Sequence, residues 1–417
     1  MNRAIIKNFI IYSAGNLLLR LITAGSSFIA VLFLTPKEFG LLSLLNNFIS
    51  ITPVFLNMGL RQAFGLEFFH LNKPQQKQML HHLICIYLTI AIPVTIFGLI
   101  FRTKINEWIF YNQATDALLL IAIAICFLHF FVELMLQVLR YQTQSLKLVL
   151  VQGGMALIVL VGNLLLVYFF QLKSVGILFA NLIGMLSISL FGLYEYIKKV
   201  GFKNFPVFKE KPKTFYYFSL GFPFMPNIIF YWLLSSANRW ILAYYAGLEA
   251  VGIYALADSF GQLFQQLVLY PLSGSYIPDM LEKFIKAANN PSDTQKLNRA
   301  NFKLMILSML SLALIIAGGY LLTQPLLAWI ISGKYAPALK YILVILLSQV
   351  VYMGTYFSTI KMLSEKRSWL NLGITAISGL ANISLSLVLI PTFGINGSIF
   401  SSFIGYGTML TLSLILR

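Results

Sequence analysis

The sequence predicts an all-α polytopic membrane protein, with twelve transmembrane helices arranged as two parallel six-helix lobes. Three observations predict it. The apolar residues are gathered into long continuous blocks. The basic residues fall between those blocks, on alternate sides. And the second half of the chain repeats the pattern of the first.

The blocks come first. Of 417 residues, 59% are hydrophobic and only 10% charged, and the mean hydropathy is +0.81. A soluble protein of this length would carry far more polar surface. Apolar runs occupy 9–34, 41–66, 83–101, 117–139, 148–170, 174–197, 216–246, 249–278, 302–323, 339–361, 369–391 and 395–416. Each approaches or exceeds the ~20 residues with which an α-helix crosses a bilayer. Continuous rather than alternating hydrophobicity argues against a β-barrel. The N-terminus, with Arg3 and Lys7 before an apolar run, mimics a signal peptide. Its run outlasts a typical ~7–15-residue signal core and contains Arg20, so it reads as a retained first helix. The lobes are expected at 1–200 and 216–417, joined by a basic linker at 201–215, and the longest loops at 198–215 and 281–301.

The net charge of +17 would suit nucleic acid if it formed one patch, but it does not. Of the 30 Lys and Arg residues, 21 fall in loops on one side and 6 on the other. The positive-inside rule makes the first side, with both termini, cytoplasmic. Three basic residues, Arg20, Arg61 and Arg239, lie inside apolar blocks. Cys85 and Cys126 also lie inside blocks and read as small buried hydrophobes.

The repeat has two offsets. A shift of 221 aligns Trp108-Ile109 with Trp329-Ile330, Arg140 with Lys361, and Gly176-x-x-Phe179 with Gly397-x-x-Phe400. A shift of 212 aligns Gly40 with Gly252, Asn46 with Asp258 and Glu67 with Asp279. Six helices return a chain to its starting side, so the halves should be parallel repeats about a pseudo-two-fold axis along the membrane normal. That architecture suits an alternating-access transporter.

Polar residues inside the blocks point to a chamber. A charge at the bilayer centre costs about 2.5–3.5 kcal/mol on insertion scales and usually faces a bundle interior or a wet cavity. Ser13, Asn16, Arg20, Thr23 and Ser27 share one helical face. Block 2 carries Ser43, Asn46 or Asn47, Ser50, Asn57 and Arg61; block 7 carries Asn227, Tyr231, Ser235, Asn238 and Arg239; block 8 carries Asp258, Gln262, Gln265 and Gln266. Symmetry would gather blocks 1, 2, 7 and 8 around a central cationic cavity. Its expected substrate contacts are Asn16, Arg20, Asn46, Arg61, Asn238, Arg239 and Gln262.

Glu133, on one face with His129, Gln137 and Arg140, is a coupling candidate, as is Asp258. Each has a structural alternative: Arg61 snorkels, Arg239 pairs with Asp258, Glu133 pairs with His129 or an arginine, and the Asn, Ser and Gln stripes join helices. No metal-spaced cluster or P-loop is seen, so neither an enzyme nor an ATP-driven pump is expected. No cofactor is expected either; an ion gradient could drive the cycle, and the sequence does not specify the ion.

Four segments carry a family likeness: "LTPKEFGLLSLL" (34–45), "NRWILAYYAGLEAVGIYALADSF" (238–260), "ISGKYAPALKYILVIL" (331–346) and "GINGSIFSSFIGY" (394–406). With twelve helices and the repeat, the chain resembles the polysaccharide transporters of the multidrug/oligosaccharidyl-lipid/polysaccharide exporter (MOP) superfamily, most of all Wzx-type O-antigen flippases. The family signature often begins Asp-Arg where this chain has Asn238-Arg239, which weighs against an ion pair or proton relay there. The resemblance implies a bacterial inner-membrane flippase for undecaprenyl-diphosphate-linked oligosaccharide repeat units of lipopolysaccharide. Its implied partners are that glycan, membrane lipids, and a polysaccharide polymerase and chain-length regulator, without nucleic acid. The alternatives are a drug or cation exporter, or another lipid-linked precursor exporter such as a lipid II flippase, both of the same superfamily. A glycan polymerase, or a scaffold for the assembly machinery, is more remote.

Overall fold

The computed structural model describes residues 19, 22, 25, 29–200, 214–288, 290–331 and 333–416. Arg20, Asn16 and their helical face, and the basic linker 201–213, lie outside the described residues. Among the described residues the chain is helical, and ten helices are long and apolar enough to cross a membrane. One of them, Thr214–Ala287, runs for 74 residues and covers the expected blocks 7 and 8; it breaks at Gly247, which takes φ 79° and ψ 172°.

The chain divides into two compact units. The first comprises Met1–Leu34 and Leu44–Pro226; the second comprises Thr35–Ser43 and Asn227–Arg417. The division thus falls at Pro226, inside the seventh block, not in the basic linker. A short piece of the second block, Thr35–Ser43, joins the second unit.

In the first unit, α1 (Pro36–Asn57) opens with a reciprocal cap: Thr35 N donates to Glu38 Oε2 (2.8 Å) and Glu38 N donates to Thr35 Oγ1 (3.3 Å). These capping residues themselves belong to the second unit. Block 2 then departs from the sequence reading. The helix stops at Asn57, Met58 and Gly59 turn left-handed (φ 43° and 85°), and α2 (Leu60–Glu67) begins anew. Asn57 secures the turn by donating to Pro53 O (2.8 Å) and accepting from Gly59 N (2.9 Å). A Cβ on Gly59 would lie 2.2 Å from the backbone of Gly221, so α8 (Thr214–Gly221) crosses here at glycine-only distance.

The rest of the unit is α3 (Lys73–Ile100), α4 (Arg102–Phe110), α5 (Asp116–Tyr141), α6 (Ser145–Asn163) with a π-turn to Phe169, and α7 (Lys173–Val200). Its core is aromatic. Tyr87 stacks on Phe130 with ring centroids 4.1 Å apart and donates to Phe127 O, beside buried Phe64 and Phe68.

The second unit holds α9 (Met225–Ser235), α10 (Asn238–Phe264), a π-turn Gln265–Leu269, α11 (Tyr270–Ala287), α12 (Pro291–Ile330), α13 (Leu339–Ser358), α14 (Ile360–Ser364), α15 (Ser368–Phe393) and α16 (Ile395–Ile415). Residues 281–301, expected as a loop, are instead mostly the ends of α11 and α12. A solvated helix needs no apolar run when i,i+4 pairs such as Asp279–Lys283 and Glu282–Lys286 and a first-turn proline, Pro291, support it.

The internal repeat is visible inside each unit. Gly176 brings α7 against Leu166, and Gly397 brings α16 against Leu389; an added Cβ would sit 3.2 Å and 2.3 Å from those backbones. Such close approach of small residues is how membrane helices pack. Trp108 and Trp329, matched by the 221 shift, are 73% and 77% exposed, as aromatic residues of a membrane–water interface are. Leu314, Leu322 and Val388 face outward, as lipid solvation permits. The interruption of block 2 recurs too: shifted by 212, Met58-Gly59 lands on Tyr270-Pro271, directly after the π-turn. Both repeats interrupt the same helix, one with a left-handed glycine and one with a widened turn.

Candidate functional site

Each unit holds an arginine–carboxylate pair among its predicted site residues, one between α2 and α5 and one within α10. In the first unit Arg61, in the opening turn of α2, donates from Nη1 to Glu133 Oε2 of α5 at 2.9 Å. The pair is accessible, with side chains 40% and 34% exposed. One turn along α5, Gln137 Nε2 donates to Tyr141 OH (2.9 Å), and both side chains press on Gly65 of α2. Arg61 uses one guanidinium arm on Glu133. A guanidinium carries five donors in a planar fork, so the exposed remainder can take an anion.

The second unit seals its pair. Arg239 Nη2 donates to Asp258 Oδ2, side chains 7% and 13% exposed, and the guanidinium carbon lies 5.8 Å over the Tyr254 ring. Gln262 Nε2 adds a bond to the same carboxylate oxygen (2.9 Å). Asn238 is fully buried, and its Nδ2, with two hydrogens to donate, lies within hydrogen-bond distance of Tyr254 OH (3.1 Å), Ser398 Oγ (2.9 Å) and Ser402 Oγ (2.9 Å). A cavity of about 10 Å3 beside Asp258 is lined by Ser348, Gln349, Tyr254, Ser402 and Tyr406; it has room for about one water. Tyr352 packs with Tyr231, Tyr356 and Tyr406 at 5.9, 5.4 and 5.0 Å between centroids, walling this polar core.

The expected site residues therefore separate. Arg61, Glu133 and exposed Asn46 are accessible in the first unit, and Gln262 is exposed in the second. Asn238 is fully buried in the helix packing, with its Nδ2 engaged by Tyr254, Ser398 and Ser402 and its Oδ1 without a hydrogen-bond partner among the described residues. Arg239 is an interior ion-pair partner. The Asn238 departure from the Asp-Arg pattern does not remove the ion pair, because the carboxylate comes from Asp258, a residue of the same helical stretch.

Ser398 and Ser402, which hold Asn238, were not singled out from the sequence. The signal was present in "GINGSIFSSFIGY": Ser398, Ser402 and Gly405 recur at i, i+4, i+7 on one helical face. Among the described residues no group of three or more His, Cys, Asp or Glu side chains could hold a metal ion.

Ten helices long and apolar enough to cross a membrane, among the described residues, define a multi-pass membrane protein. Solved structures agree on the fold. The chain superposes on an inward-facing multidrug resistance MATE family transporter of the MOP superfamily (TM-score 0.73, 13% identity, covering 98% of this chain and 96% of that one). It superposes equally on the lipid II flippase MurJ in an inward closed conformation (0.74, 15%, 98% and 87%). A third match is a MOP superfamily transporter from Pyrococcus furiosus, for which a reversed polarity of the binding pocket suggests a different function (0.63, 14%, 98% and 94%). No curated protein matches the chain. Residues 5–284 match the polysaccharide biosynthesis protein family, and the chain belongs to that family.

Proposed function

We propose that the protein is a flippase that carries undecaprenyl-diphosphate-linked oligosaccharide repeat units from the cytoplasmic to the periplasmic leaflet of the bacterial inner membrane. On this reading it works by alternating access, with both termini in the cytoplasm, and supplies O-antigen assembly together with a polymerase and a chain-length regulator. The observation that carries the reading is a half-exposed guanidinium, Arg61, held among membrane helices of a chain that belongs to a polysaccharide biosynthesis family. A diphosphate is an anion that must cross an apolar slab, and charge-assisted bonds from a guanidinium fork offset its desolvation.

Arg20 and Asn16 are assigned to the same headgroup site. Exposed Asn46 and Gln262 suit sugar hydroxyls. Glu133 is the better coupling candidate, since its exposure lets a proton reach it; Asp258 is the second. No covalent bond changes in the cycle. The likeness to MurJ supports a lipid-linked cargo. A cationic drug is disfavoured because both deep carboxylates already hold an arginine.

Deletion of the gene, with complementation, tests the function. Surface polysaccharide should disappear and the lipid-linked repeat should accumulate on the inner leaflet. Single repeats accumulating on the periplasmic side would favour a polymerase instead.

A further inference from the structure

Gly40 of α1 and Gly252 of α10 meet inside the second unit. A Cβ on Gly40 would lie 1.9 Å from Leu248 O and 2.9 Å from Gly252 N; a Cβ on Gly252 would lie 1.8 Å from Pro36 O and 3.1 Å from Gly40 N. The offset of 212 that aligns Gly40 with Gly252 also aligns Pro36 with Leu248. Each contact therefore becomes the other when the two repeats are exchanged, as across a two-fold axis. Gly59 on Gly221 lacks this property, since the offset sets Pro271 against Gly59. The Gly40–Gly252 contact is close yet weak. No side chain fits between the backbones, so each glycine aims a Cα–H at a carbonyl, a bond much weaker than N–H···O. Both carbonyls sit inside helices, where backbone amides already donate to them, so parting strands no polar group. Lipid is as apolar as leucine, so it gives the helices no hydrophobic reason to stay together. Phe39 adds one edge-on ring contact with Tyr335, centroids 6.1 Å apart. Gly397 on Leu389 differs, because α15 and α16 are joined by a tight turn at Gly394, which keeps that crossing shut.

We propose that the Gly40–Gly252 crossing is the outer gate of the transport cycle: α1 and α10 part there to open the outer side, and close again backbone on backbone. The proposal rests on the alternating-access reading above and on its orientation, which puts Lys37 and the turn at Gly247 on the outer side. The two-fold exchange suits this crossing to the task. A rotation about the axis moves both helices alike, so the two contacts break and re-form together. Interlocked side chains would have to disengage and repack at each cycle; bare backbones meet again in the same register.

The test uses the purified full-length protein in lipid nanodiscs, with Cys85→Ala and Cys126→Ala as background and nitroxide spin labels on Lys37→Cys and Glu249→Cys. Both positions are exposed, and each follows one of the two contacting carbonyl residues. Dipolar distance measurement should give a mainly short distance in this parent. Gly40→Ala and Gly252→Ala should each shift the ratio of short to long distances toward long by about fivefold or more. Gly397→Ala, a similar intrusion away from the gate, should leave the ratio unchanged. A parent-like distribution in both gate variants, or the same shift in Gly397→Ala, overturns the proposal. Should the gate variants not fold, the parent answers instead: a reducible thiosulfonate bridge between its two introduced thiols should stop transport in cells, and reduction should restore it. Full transport by the bridged protein overturns the gate. The distances need no cargo, so shifted distances beside a failed flippase assay would remove the function proposed above and keep the gate.

Discussion

The two units carry the same chemical pair in opposite settings. Arg61–Glu133 is bridged by one hydrogen bond and stays open. Arg239–Asp258 is enclosed, with Gln262 on the same oxygen and Tyr254 against the guanidinium. An open pair contributes little to stability and leaves donors for a ligand. A sealed pair contributes mainly by not being broken: removal of one partner strands the other charge. An arginine in a membrane block is therefore not in itself a substrate contact; its surroundings decide.

The largest stability effect should follow from Arg239→Ala or Asp258→Ala, each costing about 3–5 kcal/mol because a buried charge is left alone. Thermal unfolding in detergent reads this out. The double variant Arg239→Met, Asp258→Leu should lose much less than either single one; an additive loss would mean the pair is not the unit of stability.

The glycine crossings come next. Gly59 in the first unit and Gly40 in the second each meet a facing backbone: a Cβ on Gly40 would lie 1.9 Å from Leu248 O. Gly40→Ala should cost about 1–3 kcal/mol by overpacking. Gly59→Ala should cost at least as much, since its left-handed φ adds about 1–3 kcal/mol of strain. Equal melting temperatures for parent and variants would show that these helices separate readily.

Asn238→Leu should cost about 1–3 kcal/mol, from stranded buried hydroxyls, and transport by the surviving folded protein should be nearly normal. Loss of transport at full abundance would instead return Asn238 to the substrate site. Smallest in stability is Arg61→Ala, at about 0–1 kcal/mol. Yet transport in a complementation assay should fall severely at normal protein level, with Arg61→Lys partly active. Full activity of Arg61→Ala would remove the first unit's pair from the cargo path.

Much of the fold was legible because bilayer solvation acts residue by residue along a local stretch. Blocks such as 117–139 and 369–391 match α5 (Asp116–Tyr141) and α15 (Ser368–Phe393) within a few residues. Where the reading failed, the determining contact was distant or the segment was not in lipid. The turn at Met58-Gly59 depends on the approach of Gly221, far along the chain, and the helical ends around Pro291 are held by charge pairs in water.

The sequence by itself determined an all-helical membrane chain, its internal repeat, and the presence of arginines and carboxylates within the spans, since hydrophobic length and periodicity are properties of contiguous residues. Only the tertiary structure decided which cation meets which anion and which pair stays open. Arg61 and Glu133 are 72 residues apart, and Asn238 and Ser398 are 160 apart. A helical face shows that a side chain needs a partner, but helix packing supplies the partner and sets how much water reaches it.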